Sequence, residues 1–195
     1  MAEQLMGKRV AILATDGFEQ SELVEPKRLL EEAGAETTVV SIKGGEIRGW
    51  NTNDWGQSVP VDQTVDQSFP DEFDALMLPG GVMNPDKLRM NAGAVEFTKQ
   101  FFAAGKPVGA ICHGPWLLVE ADVVRGRKVT SWPSLKTDLR NAGAEWVDEQ
   151  VVTDQGMVTS RKPDDIPAFA QKLIEEIREG EHSPSRRKAG SARLL

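Results

Sequence analysis

The chain has 195 residues, 39% of them hydrophobic, and a formal net charge of −7, so it is long enough for one hydrophobic core and too acidic for a dedicated nucleic-acid surface, which needs clustered Lys and Arg. A single cysteine forbids an intrachain disulfide, as suits a reducing cytoplasm. With only two histidines, one of them His182 in the tail, no His/Cys zinc site can be assembled.

No metal or cofactor is therefore expected. The start of the chain shows no basic n-region followed by an apolar h-region, and no apolar run is long enough to span a bilayer. A cytoplasmic protein acting on small molecules or protein, with no nucleic-acid or membrane partner, is the expectation. The C-x-x-C, G-x-S-x-G, G-x-G-x-x-G and G-x-x-x-x-G-K-[ST] patterns are all missing, which sets aside thioredoxin-like, serine-hydrolase, dinucleotide and P-loop readings.

Lys8–Thr15 is an apolar run bounded by charge and by Asp16-Gly17, the pattern of a central parallel strand buried on both faces. Ser21–Ala33 carries Leu23, Leu29, Leu30 and Ala33 at helical spacing and ends at Gly34; Pro26 should kink or delay this helix. Glu36–Ser41 alternates as a second strand. Between Lys43 and Val61, clusters of Gly, Asn and Asp separate short β-capable pieces, which predicts a projecting hairpin. Its Trp50 and Trp55 either line a pocket or subunit contact or fold back over the hairpin itself.

The punctuation recurs downstream. Asp74–Leu78 reads as a strand, Val95–Ala104 as a helix closed by Gly105, Val108–Ile111 as a strand, and Leu135–Ala142 as a helix closed by Gly143 before a β-rich Glu145–Val147. Val151–Thr153 and Met157–Ser160 flank a turn as an antiparallel hairpin, and Pro163–Glu179 has one apolar helical face. Three Ala-Gly helix ends, each preceding a β-rich run, imply alternating βα units. Residues 1–179 are expected to form one domain and 180–195 a disordered basic tail. The tail's Arg186-Arg187-Lys188 is either solvated or a contact for an anionic partner.

The chemistry concentrates in Val108–Leu118, VGAICHGPWLL. The only cysteine sits where an apolar strand turns into a helix, with small residues two positions either side, Ala110 and Gly114. That is the steric signature of a nucleophile elbow. A thiolate is the reactive form, and a fall from a free pKa of about 8.5 to about 6 is within reach of a helix N-terminus plus an imidazolium. The alternative is a small core residue. Consecutive residues do not ordinarily face each other, so His113 can serve Cys112 only through strained elbow geometry.

Two further strand ends carry suspicious residues: Asp16-Gly17-Phe18-Glu19 and Pro79-Gly80-Gly81. In an open α/β sheet such ends converge on one crevice. Gly80 and Gly81 would let backbone N–H groups approach a substrate oxygen, as an oxyanion hole demands, or would simply form a tight turn. Glu19 is a candidate acid or base, or a charge complementing a helix dipole.

Together DGFEQSEL, ALMLPGGVMNPDKLRMN, GKPVGAICHGPWLL, RGRKVTSWP and NAGAEWVDEQVVTD resemble the PfpI-type branch of the ThiJ/PfpI superfamily. The resemblance implies a flavodoxin-like three-layer α/β/α sandwich with a mostly parallel sheet and peripheral hairpins. It implies Cys112 as nucleophile, His113 as base or oxyanion-orienting group, Glu19 as the glutamate bonded to the thiol, and N–H groups around Gly81 as an oxyanion site. It also implies dimers or hexamers in which a neighbour supplies an acid to the triad, here Asp86, one methylene shorter than the family's glutamate. Glyoxalase, deglycase and peptidase activities all follow from thiolate addition to a carbonyl, and small-carbonyl turnover is the first expectation. The alternatives are an intracellular cysteine peptidase, and a non-enzymatic oxidation sensor or chaperone using Cys112.

Overall fold

The computed structural model describes residues 4–182. Its strands are β1 (Arg9–Leu13), β2 (Phe18–Glu19), β3 (Glu36–Ser41), β4 (Glu46–Asn51), β5 (Asp54–Pro60), β6 (Gln63–Thr64), β7 (Ala75–Leu78), β8 (Val108–Ile111), β9 (Lys128–Val129), β10 (Glu145–Trp146), β11 (Val151–Asp154) and β12 (Met157–Ser160). Its α-helices are α1 (Gln20–Glu32), α2 (Met83–Arg89), α3 (Ala92–Ala103), α4 (Pro115–Glu120), α5 (Lys136–Asn141) and α6 (Ile166–Glu179). The central sheet has seven strands in the order β11-β12-β8-β7-β1-β3-β6. Every pairing in it is parallel except β11 with β12.

Alternate residues along each strand feed two separate cores, which is why these segments read as continuous apolar runs. Val10, Ile12, Ala75, Met77, Ile111 and Val158 point toward Leu23 and Leu30 of α1 and Phe169 and Leu173 of α6. Ala11, Leu13, Leu76, Leu78, Val108 and Ala110 point the other way, toward Phe97 and Phe101 of α3 and Leu117 of α4. The result is the expected flavodoxin-like three-layer sandwich. Gly109, on β8, lets α6 approach closely: a Cβ there would lie 2.8 Å from a Leu173 methyl and 2.9 Å from the Phe169 ring.

Several expectations need adjustment. The second hairpin is not peripheral, because β12 joins β8 inside the main sheet and β11 extends it. The β4–β5 hairpin does project, pairing with β2 in a three-stranded sheet. Its tryptophans stack edge-on against each other, 5.6 Å between centroids, and Trp50 Nε1 donates to the hairpin's own Thr52 carbonyl. Pro26 is a buried member of α1, which runs through it. The unanticipated α2 follows β7. Glu145-Trp146 pairs with β9 rather than with the main sheet. Gly180 to His182 are described and anchored, since the His182 N–H donates to the Gly105 carbonyl at 2.7 Å. The remainder of the expected tail, including Arg186-Arg187-Lys188, lies outside the described residues. No helix among the described residues is long and apolar enough to cross a membrane.

Candidate active site

Chain order places β1 in the middle of the sheet, adds β3 and β6 on one side, then returns to lay β7 and β8 on the other. The reversal leaves a crevice beyond the carboxyl ends of β1 and β7. The loops after β1, β7 and β8 meet there. A Cβ on Gly81 would lie 2.5 Å from the Gly17 carbonyl and 2.6 Å from the Glu19 nitrogen. The Glu19 N–H donates to the Gly80 carbonyl at 3.3 Å. Buried Asn84 ties the same loops: its amide donates to the Pro79 and Gly80 carbonyls at 3.0 and 3.1 Å, and its Oδ1 accepts from the Thr15 N–H at 2.8 Å.

Cys112 occupies the turn from β8 into α4 with φ of 62°, a left-handed conformation that costs a non-glycine residue of order 1 kcal/mol or more. The turn is held by its backbone. The Cys112 N–H donates to the Ser160 carbonyl at 3.0 Å, and the Cys112 carbonyl accepts from the Trp132 N–H at 2.9 Å. Gly114 is required by contact, since a Cβ there would lie 2.7 Å from the Leu78 carbonyl and 2.9 Å from that of Ile111. Gly80 is equally enclosed, with Glu22 Oε2 at 2.4 Å and Cys112 Cβ at 2.6 Å from any added Cβ.

The strained turn swings His113 back over its neighbour, so Nδ1 lies 3.2 Å from Cys112 Sγ. Among the described residues, aromatic rings rather than an acid pack against the imidazole: Trp132 stacks on it at 6.0 Å and Trp116 meets it edge-on at 5.2 Å. Trp116 is itself oriented by a 2.8 Å hydrogen bond to Asp138. Burial lowers the His113 pKa, so the ring is a neutral proton acceptor. Asp86 is exposed in the first turn of α2. Within the described chain His113 makes no hydrogen bond to any carboxylate.

The carboxyl beside the thiol is Glu22, not Glu19. Glu19 caps α1 from outside, about half-buried, with its Oε1 3.4 Å from the Ser21 hydroxyl. Glu22 is fully buried; its Oε2 accepts from the Gly80 N–H at 3.0 Å, and its carboxyl lies close enough to Cys112 for each to shift the other's ionisation. The reason is helical phase. Glu22, Pro26 and Leu30 fall at i, i+4 and i+8 on the buried face of α1, whereas Glu19 precedes the helix. A glutamate in register with the apolar positions was the signal in the sequence.

Burial raises the Glu22 carboxyl to about 8, reinforced by the negative charge of Glu19. The expected downward shift of the thiol is also corrected. Burial first, then an ionised Glu22, push Cys112 up, while N–H groups of Gly81 and His113 oppose them. The helix N-terminus contributes little because α4 is short and begins with Pro115, which has no N–H to offer. The pocket thus accommodates one negative charge between Glu22 and Cys112. With the proton on Glu22, its hydroxyl can donate to the sulfur, and the charge that opposes the thiolate disappears.

A parallel α/β sheet that lifts a cysteine onto a strand-to-helix elbow, with an acid and an imidazole against its sulfur, has the architecture of a cysteine-nucleophile enzyme. Residues 8–176 match the model of the DJ-1/PfpI family. A deglycase of Pyrococcus abyssi (strain GE5 / Orsay) is 46% identical over 170 residues, covering 87% of this chain and 99% of that protein. Protein/nucleic acid deglycase 2 of Escherichia coli (strain K12) is 46% identical over 171 residues, 87% of this chain and 97% of that protein. Among solved structures, a two-domain protein of Anabaena variabilis with DJ-1/ThiJ/PfpI-like and ferritin-like domains superposes with a TM-score of 0.82 at 36% identity. That match covers 87% of this chain and 48% of the Anabaena chain. The chain belongs to the DJ-1/PfpI family, and it is an enzyme of that family.

Proposed function

We propose that the protein is a cofactor-free glyoxalase or deglycase, in which Cys112 adds to the aldehyde carbon of α-oxoaldehydes or of their early adducts with amines. The observation that carries this reading is the buried triplet of Cys112, His113 and Glu22, with His113 Nδ1 at 3.2 Å from the sulfur and a carboxyl held protonated near neutrality. Sulfur attacks the carbonyl carbon, the thiol proton passes to neutral His113, and the carbonyl oxygen takes a proton to give a hemithioacetal. Moving the carbon-bound proton to the adjacent carbonyl carbon then yields a thioester, which water hydrolyses to a 2-hydroxy acid. The aldehyde carbon is oxidised and its neighbour reduced, so the net reaction consumes only water. From a hemiaminal adduct the C–S bond forms as the C–N bond breaks, the amine leaves with the proton taken up by His113, and the resulting hemithioacetal follows the same course.

Gly81, whose backbone faces both the Cys112 and Glu22 groups, is the candidate oxyanion donor, whereas the Gly80 N–H is already given to Glu22 Oε2. Peptide hydrolysis ranks lower, because it needs a strong general acid for the leaving amine and His113 has no carboxylate partner within this chain. Asp86 enters the chemistry only if a second copy presents it, so self-association as a dimer or hexamer belongs to this proposal, as does a cytoplasmic place of action. The test is methylglyoxal consumption without added cofactor, followed as lactate formed. Turnover by the wild type and none by Cys112→Ser supports the reading; casein digestion without methylglyoxal turnover would reverse the ranking.

A further inference from the structure

A second cluster lies at the far end of β8 from Cys112, where α6 ends. Glu176, Glu179 and His182 each offer a donor atom, and these atoms lie within 4.8 Å of one another. Glu176 and Glu179 are one helical turn apart on α6. His182 joins them because Gly180, at φ of 89°, stops the helix and turns the chain back.

The position of His182 is built by two other loops. Its N–H donates to the Gly105 carbonyl, and a Cβ on Gly105 would lie 2.0 Å from the His182 carbonyl oxygen. Its ring lies over Gly156 in the β11–β12 turn, where a Cβ would come within 2.6 Å of Cδ2. Nε2 is thereby buried and directed at Glu176, 2.9 Å from Oε2 of a side chain only 11% exposed. Among the described residues Nε2 nevertheless has no hydrogen-bond partner in acceptable geometry. An unprotonated Nε2 and a carboxylate oxygen at that separation repel, so the contact calls for positive charge, supplied by a proton on the ring or by a metal ion shared with Glu179. The Lys172 ammonium on the same helix is engaged with Glu175.

We propose that Glu176, Glu179 and His182 form a site for a divalent transition-metal ion of the zinc class, with water completing the shell. One imidazole nitrogen and two carboxylates suit a borderline cation, which prefers N–metal and O–metal distances of about 2.0–2.2 Å. Donors so bound sit about 3.3 Å apart in a tetrahedron, near the 2.9 Å between Nε2 and Glu176 Oε2 and inside the 4.8 Å that bounds all three donors. Two carboxylate charges and one dication also neutralise each other, which three unshared groups do not. Bound metal would staple the end of α6 to the segment seated over the Gly105 and Gly156 turns. Glu179 and His182 lie beyond residue 176, where the family match ends.

The test uses the full chain carrying Cys112→Ser, which removes the competing thiolate donor, titrated with zinc chloride in a non-coordinating buffer by calorimetry. One equivalent should bind, with affinity falling by at least about tenfold in Glu179→Gln and in His182→Ala. Zinc should also raise the melting temperature of the parent, and this rise should vanish in Glu179→Gln, an isosteric change at an exposed position that leaves the fold intact. Zinc binding of equal affinity in the parent and Glu179→Gln, or no stoichiometric binding by the parent, would overturn the site.

Discussion

In the proposed reaction Cys112, Glu22 and His113 act as a unit, because Glu22 and Cys112 compete for one negative charge and His113 Nδ1 lies 3.2 Å from the sulfur. Replacing Cys112 by Ser should lower methylglyoxal turnover by roughly 10³-fold or more, measured as kcat at saturating substrate. Glu22→Gln can keep the hydrogen bond from the Gly80 N–H but cannot exchange a proton, and should lower kcat by about 10²–10⁴-fold. Glu19→Gln should leave kcat much nearer the wild type and move the alkaline limb of the pH profile, since the charge of Glu19 only reinforces the raised pKa of Glu22. Equal losses in the two variants would refute the assignment of Glu22 over Glu19.

The same residue makes stability depend on pH. Glu22 binds its proton up to about 8 in the folded chain, against about 4.3 when unfolded. The folded state therefore holds the extra proton between these values. Its contribution is complete below about pH 4.3 and is lost as pH rises through about 8. Glu22→Gln, which is never charged, should be more resistant to urea than the wild type at pH 8–9, and this advantage should shrink steadily toward pH 4.5.

At the scale of elements, the site is a junction of three loops whose backbones touch. Gly114→Ala would drive a methyl against the Leu78 and Ile111 carbonyls and should cost about 1–3 kcal/mol by chemical denaturation, with thiol reactivity altered as the elbow shifts. Asn84→Ala removes three buried hydrogen bonds at once and should destabilise by roughly 2–4 kcal/mol. The elbow, the Pro-Gly-Gly turn and the Gly34, Gly105 and Gly143 helix ends were all legible, because each depends on a small residue where nothing larger fits. Asn84 was not. Its side chain bridges Thr15 to Pro79 and Gly80, a relation that no local spacing encodes. Glu22 was half legible: its helical phase placed it on the buried face, but only the meeting of α1 with the Gly80 and Cys112 turns sets its carboxyl beside the thiol.

At the scale of the whole molecule, two cores clamp the sheet that carries the elbow, and α6 lies directly over β8 through the gap left by Gly109. Phe169→Ala, emptying a fully buried ring site in that layer, should cost about 3–5 kcal/mol. A lowered urea midpoint with an unchanged m-value would show that stability alone has changed.

The sequence by itself determined the βα alternation, the parallel sheet with its two apolar faces and the place of the cysteine on a strand-to-helix elbow, because these rest on periodicity and steric necessity, which are local. Tertiary structure alone decided which glutamate meets the thiol, that Trp116 and Trp132 pack against His113, and that burial opposes ionisation of Cys112. Those outcomes depend on distances between segments far apart in the chain and on how much water their packing excludes.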